Sequence, residues 1–196
     1  MTGQRRLERF IRIFLGVLRS RSGRGFVVER VLAVISQVSR RSAYVALLNE
    51  NPLVLERLID LCEQSDYLAG EIEKYPALLD ELLDPRLFTE QISAAGLEAD
   101  LDDTLRQLND RDSEGTIESL ARFQRTSMFR IAVADVSGTL PIMKVSDCLT
   151  VLAELVLRAA LSVAWRDLVE KHGAVSYTHL RAHETRHDLV CRLLLE

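Results

Sequence analysis

The sequence predicts an all-α protein, a multi-helix bundle built from short and long amphipathic helices. Three observations carry this. Apolar residues recur at helical spacing in segment after segment, while no stretch shows the strict alternation of a half-buried strand. Helix starts are marked by Ser, Asp or Asn-Pro and stops by glycine. Leu, Ala, Glu and Arg are abundant and aromatics are only 6% of the chain, a composition suited to packed helices.

The elements follow in order. Residues 4–19 place Leu7, Phe10, Ile11, Phe14, Leu15 and Leu18 at helical spacing with arginines between them, a basic amphipathic helix. Arg21–Gly25 is a loop. A helix follows from Phe26 with Val28, Val31, Leu32 and Ile35 on one face; it continues through Ser42 or breaks near Gln37. Asn51-Pro52 sets a capping residue before a proline at the first helical position, and Leu55, Leu58, Ile59 and Cys62 form that helix's buried stripe. Ser65 caps the next, where Tyr67, Leu68 and Ile72 align. Pro76 begins another, carrying Leu78, Leu79, Leu82 and Leu83 into Asp84-Pro85. An acidic, weakly amphipathic stretch covers Glu98–Asp112. A helix then starts at Ser113 or Thr116 and reaches Ser137, with Ile117, Leu120, Phe123, Phe129 and Val133 inside. Gly138 stops it, Pro141 turns the chain, Ser146 caps the next helix and Asp147 meets the positive end of its dipole. That last helix, with Leu149, Leu152, Leu155, Val156, Ala159, Val163, Leu168 and Val169 on its inner side and Trp165 in the core, ends at His172-Gly173 after roughly seven turns.

Composition narrows function. With 196 residues, 47% hydrophobic and 28% charged, the chain can bury one substantial core and reads as a soluble, cytoplasmic protein. Cys62, Cys148 and Cys191 are odd in number and far apart, which suits a reducing compartment rather than a disulfide framework. Arg12 interrupts the first apolar run, so no signal peptide is read there. Glu154 and Arg158 in the middle of the last helix form an i,i+4 pair suited to water, so no membrane partner is expected. The net charge of −4 conceals a split: residues 1–50 hold ten Arg against three Glu, and residues 51–120 hold eighteen acids against five bases. The basic part lacks aromatic or glycine-rich recognition elements, so no nucleic-acid partner is expected; it docks on an acidic surface of its own protein or stays solvated.

Candidate chemistry is sparse. Asp100-Leu-Asp102 and Asp110-Arg-Asp112 have the Asp-x-Asp spacing that binds magnesium from a strand, but in helical or loop sequence such carboxylates point apart. His183-Glu-Thr-Arg-His187 matches the H-E-x-x-H pattern of zinc peptidases, with His179 one turn earlier, and defines a zinc-hydrolase alternative. A third protein ligand is missing downstream, where nine residues remain. Lys144 and Asp147 read either as part of a nucleotide or substrate cleft or as a plain helix-start pair. Arg130 and Asp135 read as an interhelical ion pair. No residue is assigned as catalytic, cofactor-binding or metal-binding.

Three longer stretches carry a resemblance. They are Arg41-Ser-Ala-Tyr-Val-Ala-Leu-Leu-Asn-Glu-Asn-Pro52, Tyr75-Pro-Ala-Leu-Leu-Asp-Glu-Leu-Leu-Asp-Pro85 and Phe129-Arg-Ile-Ala-Val-Ala-Asp-Val-Ser-Gly-Thr-Leu-Pro-Ile-Met-Lys-Val-Ser-Asp147. In this order and spacing they resemble the bifunctional glutamine synthetase adenylyltransferase/adenylyl-removing enzymes of bacterial nitrogen control, over residues 26–175. The resemblance implies two nucleotidyltransferase domains joined by a helical region, one removing AMP from glutamine synthetase by phosphorolysis, the other adding it from ATP with Mg2+. Residues 1–45 would then end the central linker region and residues 46–175 would open the adenylyltransferase domain. The family's Gly-rich turn and Ser-Asp-x-Asp strand are missing, so the chain reads as cut before the α/β nucleotidyltransferase core and expected to be inactive alone, with neither ATP nor Mg2+ bound. Residues 176–196 read as a non-native tail of adaptor or vector type. The implied partners are glutamine synthetase and the PII signal protein; the alternative to an enzyme fragment is a regulatory helical module that binds one of them.

Overall fold

The computed structural model describes residues 3–19, 25–39, 42–108 and 112–173. Every regular element among them is helical: α1 (Gly3–Arg19), α2 (Gly25–Val38), α3 (Ser42–Glu50), α4 (Pro52–Gln64), α5 (Asp66–Lys74), two 3-10 stretches (Pro76–Leu83 and Pro85–Phe88), α6 (Ala94–Arg106), α7 (Ser113–Val136) and α8 (Ile142–His172). The all-α expectation holds. The question left open after Gln37 resolves as a break between α2 and α3. The tail with the H-E-x-x-H pattern lies outside the described residues.

Most helix starts follow side-chain chemistry. The Ser65 hydroxyl accepts the Leu68 N–H, Ser93 accepts that of Gly96, and the Asp112 carboxylate accepts that of Gly115 at 2.9 Å. Each satisfies an amide with no partner inside its helix. Asn51 behaves differently from its expected role. It holds the cap position of α4 but its side chain makes no cap bond there; the side-chain amide instead donates to the Leu47 carbonyl at 2.9 Å and closes the end of α3. Pro76 does open a helix, but a 3-10 one. Two prolines nine positions apart confine that leucine-rich stretch between non-helical residues at Tyr75 and Asp84, and short i→i+3 bonds such as Leu78 N–H to the Tyr75 carbonyl suffice.

The joint between α7 and α8 is shorter than expected. Gly138 adopts φ +71°, its N–H bonds the Asp135 carbonyl at 3.0 Å, and the Thr139 N–H bonds the Ala134 carbonyl at 2.9 Å. This pair of bonds is a Schellman stop, which requires a left-handed residue after the helix. The chain then re-enters helix at Ile142, because the Pro141 carbonyl accepts the Lys144 and Val145 amides at 2.8 and 3.1 Å. Ser146 and Asp147 therefore sit inside α8, not at its cap.

Two apolar clusters share α7. The first gathers α1–α5 and the 3-10 stretches around Val31, Leu55, Leu58, Ile59, Leu79 and Leu82, and receives Phe129 and Val133. The second joins α6, α7 and α8 through Leu97, Leu101, Leu120, Phe123, Ile131 and Leu152. At 100° per residue Phe129 and Val133 lie opposite Phe123, Ile131 and Ala134, so α7 is buried on two sides. Phe10 and Phe14 of α1 stack with centroids 6.0 Å apart and enter the first cluster, so the basic helix packs on its own protein. Arg30 of α2 donates to the Cys62 carbonyl at 2.5 Å and pairs with Asp66, tying α2 to the α4–α5 junction.

Several expected core residues lie outside. Ile117, Trp165 and Leu168 are 56%, 47% and 54% exposed, and Ile11, Leu15, Leu32, Tyr67, Leu83 and Leu149 are also exposed. The reason is geometric: each helix offers more apolar surface than its neighbours cover. The expected Glu154–Arg158 pair does not form among the described residues; both side chains are exposed.

Three substitutions test this packing and the α7–α8 joint by urea unfolding. Phe129→Ala should lower stability by about 3–5 kcal/mol, since it empties a fully enclosed site, whereas Ile117→Ser should change it by less than about 0.5 kcal/mol. Gly138→Ala should cost about 1–2 kcal/mol from the left-handed backbone alone, because no atom lies within 4 Å of the added methyl.

Candidate functional site

A polar groove of about 530 Å3 opens where α6 and α7 meet the first 3-10 stretch, lined by Glu81, Asp100, Asp103, Arg122, Ser127 and Arg130 among others. The helices aim these groups at one another. Leu97 and Leu101 bury one side of α6, which turns Asp100 and Asp103 toward α7. Phe129 and Ile131 bury the sides of α7, which leaves Arg130 between them to reach across. Its Nη1 donates to Asp100 Oδ2 at 2.8 Å. This pair replaces the expected partnership of Arg130 with Asp135, which shares its helix and lies half a turn off that direction.

The Arg130–Asp100 bridge also borders a second cavity of about 200 Å3, lined by Arg86, Glu90, Ser93 and Gly96. There Asp84 accepts the Arg86 backbone N–H at 2.9 Å and grips its guanidinium with both oxygens. Those bonds hold the Asp84 carboxyl below its usual range. Glu81 moves the other way. Burial raises its pKa, Arg130 opposes the rise, and Asp84, Asp80 and Asp100 add to it. A raised carboxyl binds protons more readily folded than unfolded, so its contribution to stability falls as pH climbs from the ordinary glutamate range through the raised value. Neither Glu81 nor Arg122 is singled out by the sequence. Glu81 sits in a leucine-rich run, where a lone acid reads as the solvated face of a helix.

The other watched residues do not converge here. Lys144 and Asp147 form an i,i+3 contact at 3.6 Å with both side chains two-thirds exposed. That is an ordinary surface pair, which contributes about 0–1 kcal/mol, and it lines none of these cavities. Asp102 faces away from Asp100, into a cavity of about 340 Å3 between α6 and α8 lined by Leu105, Leu155, Arg158 and Arg166. Asp112 is a helix cap. Burial pushes the Cys62 thiol up to about 12 and raises that of Cys148, which in both disfavours the thiolate, the reactive form.

These residues do not fit a magnesium–nucleotide site. Among the described residues no three His, Cys, Asp or Glu side chains gather to hold a metal ion. Asp100 is engaged by Arg130, its Asp-x-Asp partner points elsewhere, and among the described residues no Gly-rich turn offers backbone amides to a phosphate there. What the groove presents is a mixed-charge surface held rigid by interhelical contacts.

Comparison with known proteins gives the setting. The family described as glutamate-ammonia ligase adenylyltransferase matches residues 55–191. That match continues beyond residue 175, into the stretch read from sequence as a non-native tail. A bifunctional glutamine synthetase adenylyltransferase/adenylyl-removing enzyme of Pseudomonas aeruginosa is 43% identical over 171 residues, 87% of this chain and 17% of its own length. The proteins of the same name from Nitrosococcus oceani and Vibrio parahaemolyticus are 40% identical over 168 residues and 38% identical over 159, covering 86% and 81% of this chain and again 17% of their own lengths. The chain thus spans about one-sixth of the length of the curated relatives it matches. With a family model that matches residues 55–191 and relatives about 40% identical over most of its length, the chain belongs to the glutamate-ammonia ligase adenylyltransferase family.

Proposed function

We propose that this chain is a supporting helical part of an enzyme that transfers AMP from ATP to glutamine synthetase, and removes it again by phosphorolysis, in the control of glutamine metabolism. The observation that carries the reading is 43% identity to the Pseudomonas aeruginosa enzyme over a stretch that forms two packed apolar clusters and no gathered acids among the described residues. In this reading ATP and Mg2+ are held elsewhere in the longer cytoplasmic protein. Nucleotidyl transfer needs an in-line geometry and neutralisation of phosphate charge, and the groups that provide them must be held still. The contribution of this chain is that rigidity. α7, fixed from two sides, sets the position of α8, and α8 with its Schellman joint is the rigid element that carries the position onward. Glutamine synthetase is the protein substrate, and the PII signal protein is the regulatory partner.

Two measurements test the proposal. The 196-residue chain, incubated with glutamine synthetase, labelled ATP and magnesium, should incorporate no label above a blank without it. Incorporation that disappears in the Asp100→Ala, Asp102→Ala variant would place the chemistry here and overturn it. A chimera in which residues of this chain replace the matching 171 of the Pseudomonas aeruginosa enzyme should label glutamine synthetase within about tenfold of the parent, a loss of no more than about 1.4 kcal/mol in transition-state stabilisation. A folded chimera without activity would also count against the proposal.

A further inference from the structure

α8 is apolar on two opposite faces, and only one of them is covered. Cys148, Leu152, Leu155 and Val163 are buried against α6 and α7. At 100° per residue Ala153, Leu157, Ala160, Leu161, Ala164 and Leu168 form a continuous strip on the far side, with Trp165 at its edge. Leu157, Leu161 and Leu168 are 63%, 68% and 54% exposed. Along that strip, for more than four turns, no charged residue intervenes; Glu154, Arg158 and Asp167 flank it. A helix with two apolar faces is the pattern of one covered on both, and an apolar strip of this length marks a contact surface on a protein that water would otherwise surround. The small residues alternate with leucines, which lets a second apolar surface approach closely between the larger side chains.

We infer that the outer face of α8 is covered by the remaining polypeptide of the longer family protein, packed on it within the same molecule. Two observations favour this occupant. The relatives are about six times longer than the segment they share with this chain, so most of the molecule is available to cover it. The helix is also already committed to a protein on its inner side. By length and composition α8 could cross a membrane, and its most apolar window has a mean hydropathy of 1.7 with 22% of it buried. A lipid-spanning helix would have to set Glu154 and Arg158 at mid-depth, at about 2.5–3.5 kcal/mol for such a charged side chain, whereas a protein cover leaves both at the edge of the contact in water.

The inference rests on the reading of the chain as part of a longer enzyme, but its test needs no AMP transfer, so the two can fail separately. Carbene footprinting would be read on the peptide spanning Ala153–Leu168 in the chimera, with uptake normalised to the urea-unfolded protein. The parent Pseudomonas aeruginosa enzyme, read on its matching peptide, serves as the second measurement should the chimera fail to fold. The peptide should take up at least fivefold less label in the monomeric full-length protein than in the 196-residue chain kept dilute. Equal uptake in the two would overturn the inference. So would protection that appears only at concentrations where the protein dimerises, which would assign the face to a second copy. Protection that appears only on adding phosphatidylglycerol vesicles would assign it to a lipid surface and overturn it equally.

Discussion

The fold depends on the burial of one helix from two sides. α7 presents Phe129 and Val133 to one apolar cluster and Leu120, Phe123, Ile131 and Ala134 to the other, so neither cluster closes without it. Burial of apolar area, roughly proportional to the surface removed from water, is the dominant favourable contribution to such packing. The consequence is mechanical as well as energetic. A helix held on two sides cannot rotate to suit one neighbour without opening a gap against the other, and close-packed interiors transmit such strain instead of absorbing it.

The polar contacts fall into place around that constraint. Arg130 occupies the edge of α7 between its two buried faces, and from there Asp100 on α6 is within reach. The pair is partly exposed, so its value lies more in orienting α6 against α7 than in net stability. Arg30 and Arg57 act similarly in the first cluster. Each sends a guanidinium across to a backbone carbonyl, of Cys62 and of Leu82, and Arg57 also lies over the Phe88 ring at 4.4 Å. Carbonyls near helix ends, lacking partners within the helix, are natural acceptors for such side chains. The same logic explains why the groove between α6 and α7 is a scaffold feature. Arg130 and Asp100 join α7 to α6 there, while Arg122 and Asp103 pair within their own helices, with Glu118 and Arg106.

How much was legible depended on the range of the interaction concerned. Ser65, Asp112-Ser113, Asn51-Pro52 and Gly138 sit where the helices start or stop, because capping and left-handed backbone are settled within a few residues. The role of Asn51 was misjudged for a reason of the same range: its side chain had two helix ends within reach and took the one behind it. Pro141 was read as a break and proved to be the cap of α8, since a proline lacks a donor but keeps its acceptor. Arg130 was recognised as an ion-pair former but given the wrong acid. A partner thirty residues away, on a different helix, leaves no mark in the spacing.

The sequence by itself determined the helical class, much of its punctuation and the family, because these rest on local chemistry or on long matched stretches; it did not mark the start of α6 at Ser93 and set the cap of α8 at Ser146 instead of Pro141. Only the tertiary structure decided which apolar faces are inside. Periodicity reports that a face is apolar and is silent on whether another element reaches it. Ile117, Trp165 and Leu168 have the spacing of core residues and stand in water, while Ile131 and Ala134, which the spacing did not single out, are buried. Burial is a property of two surfaces in contact, and a single helix encodes only one of them.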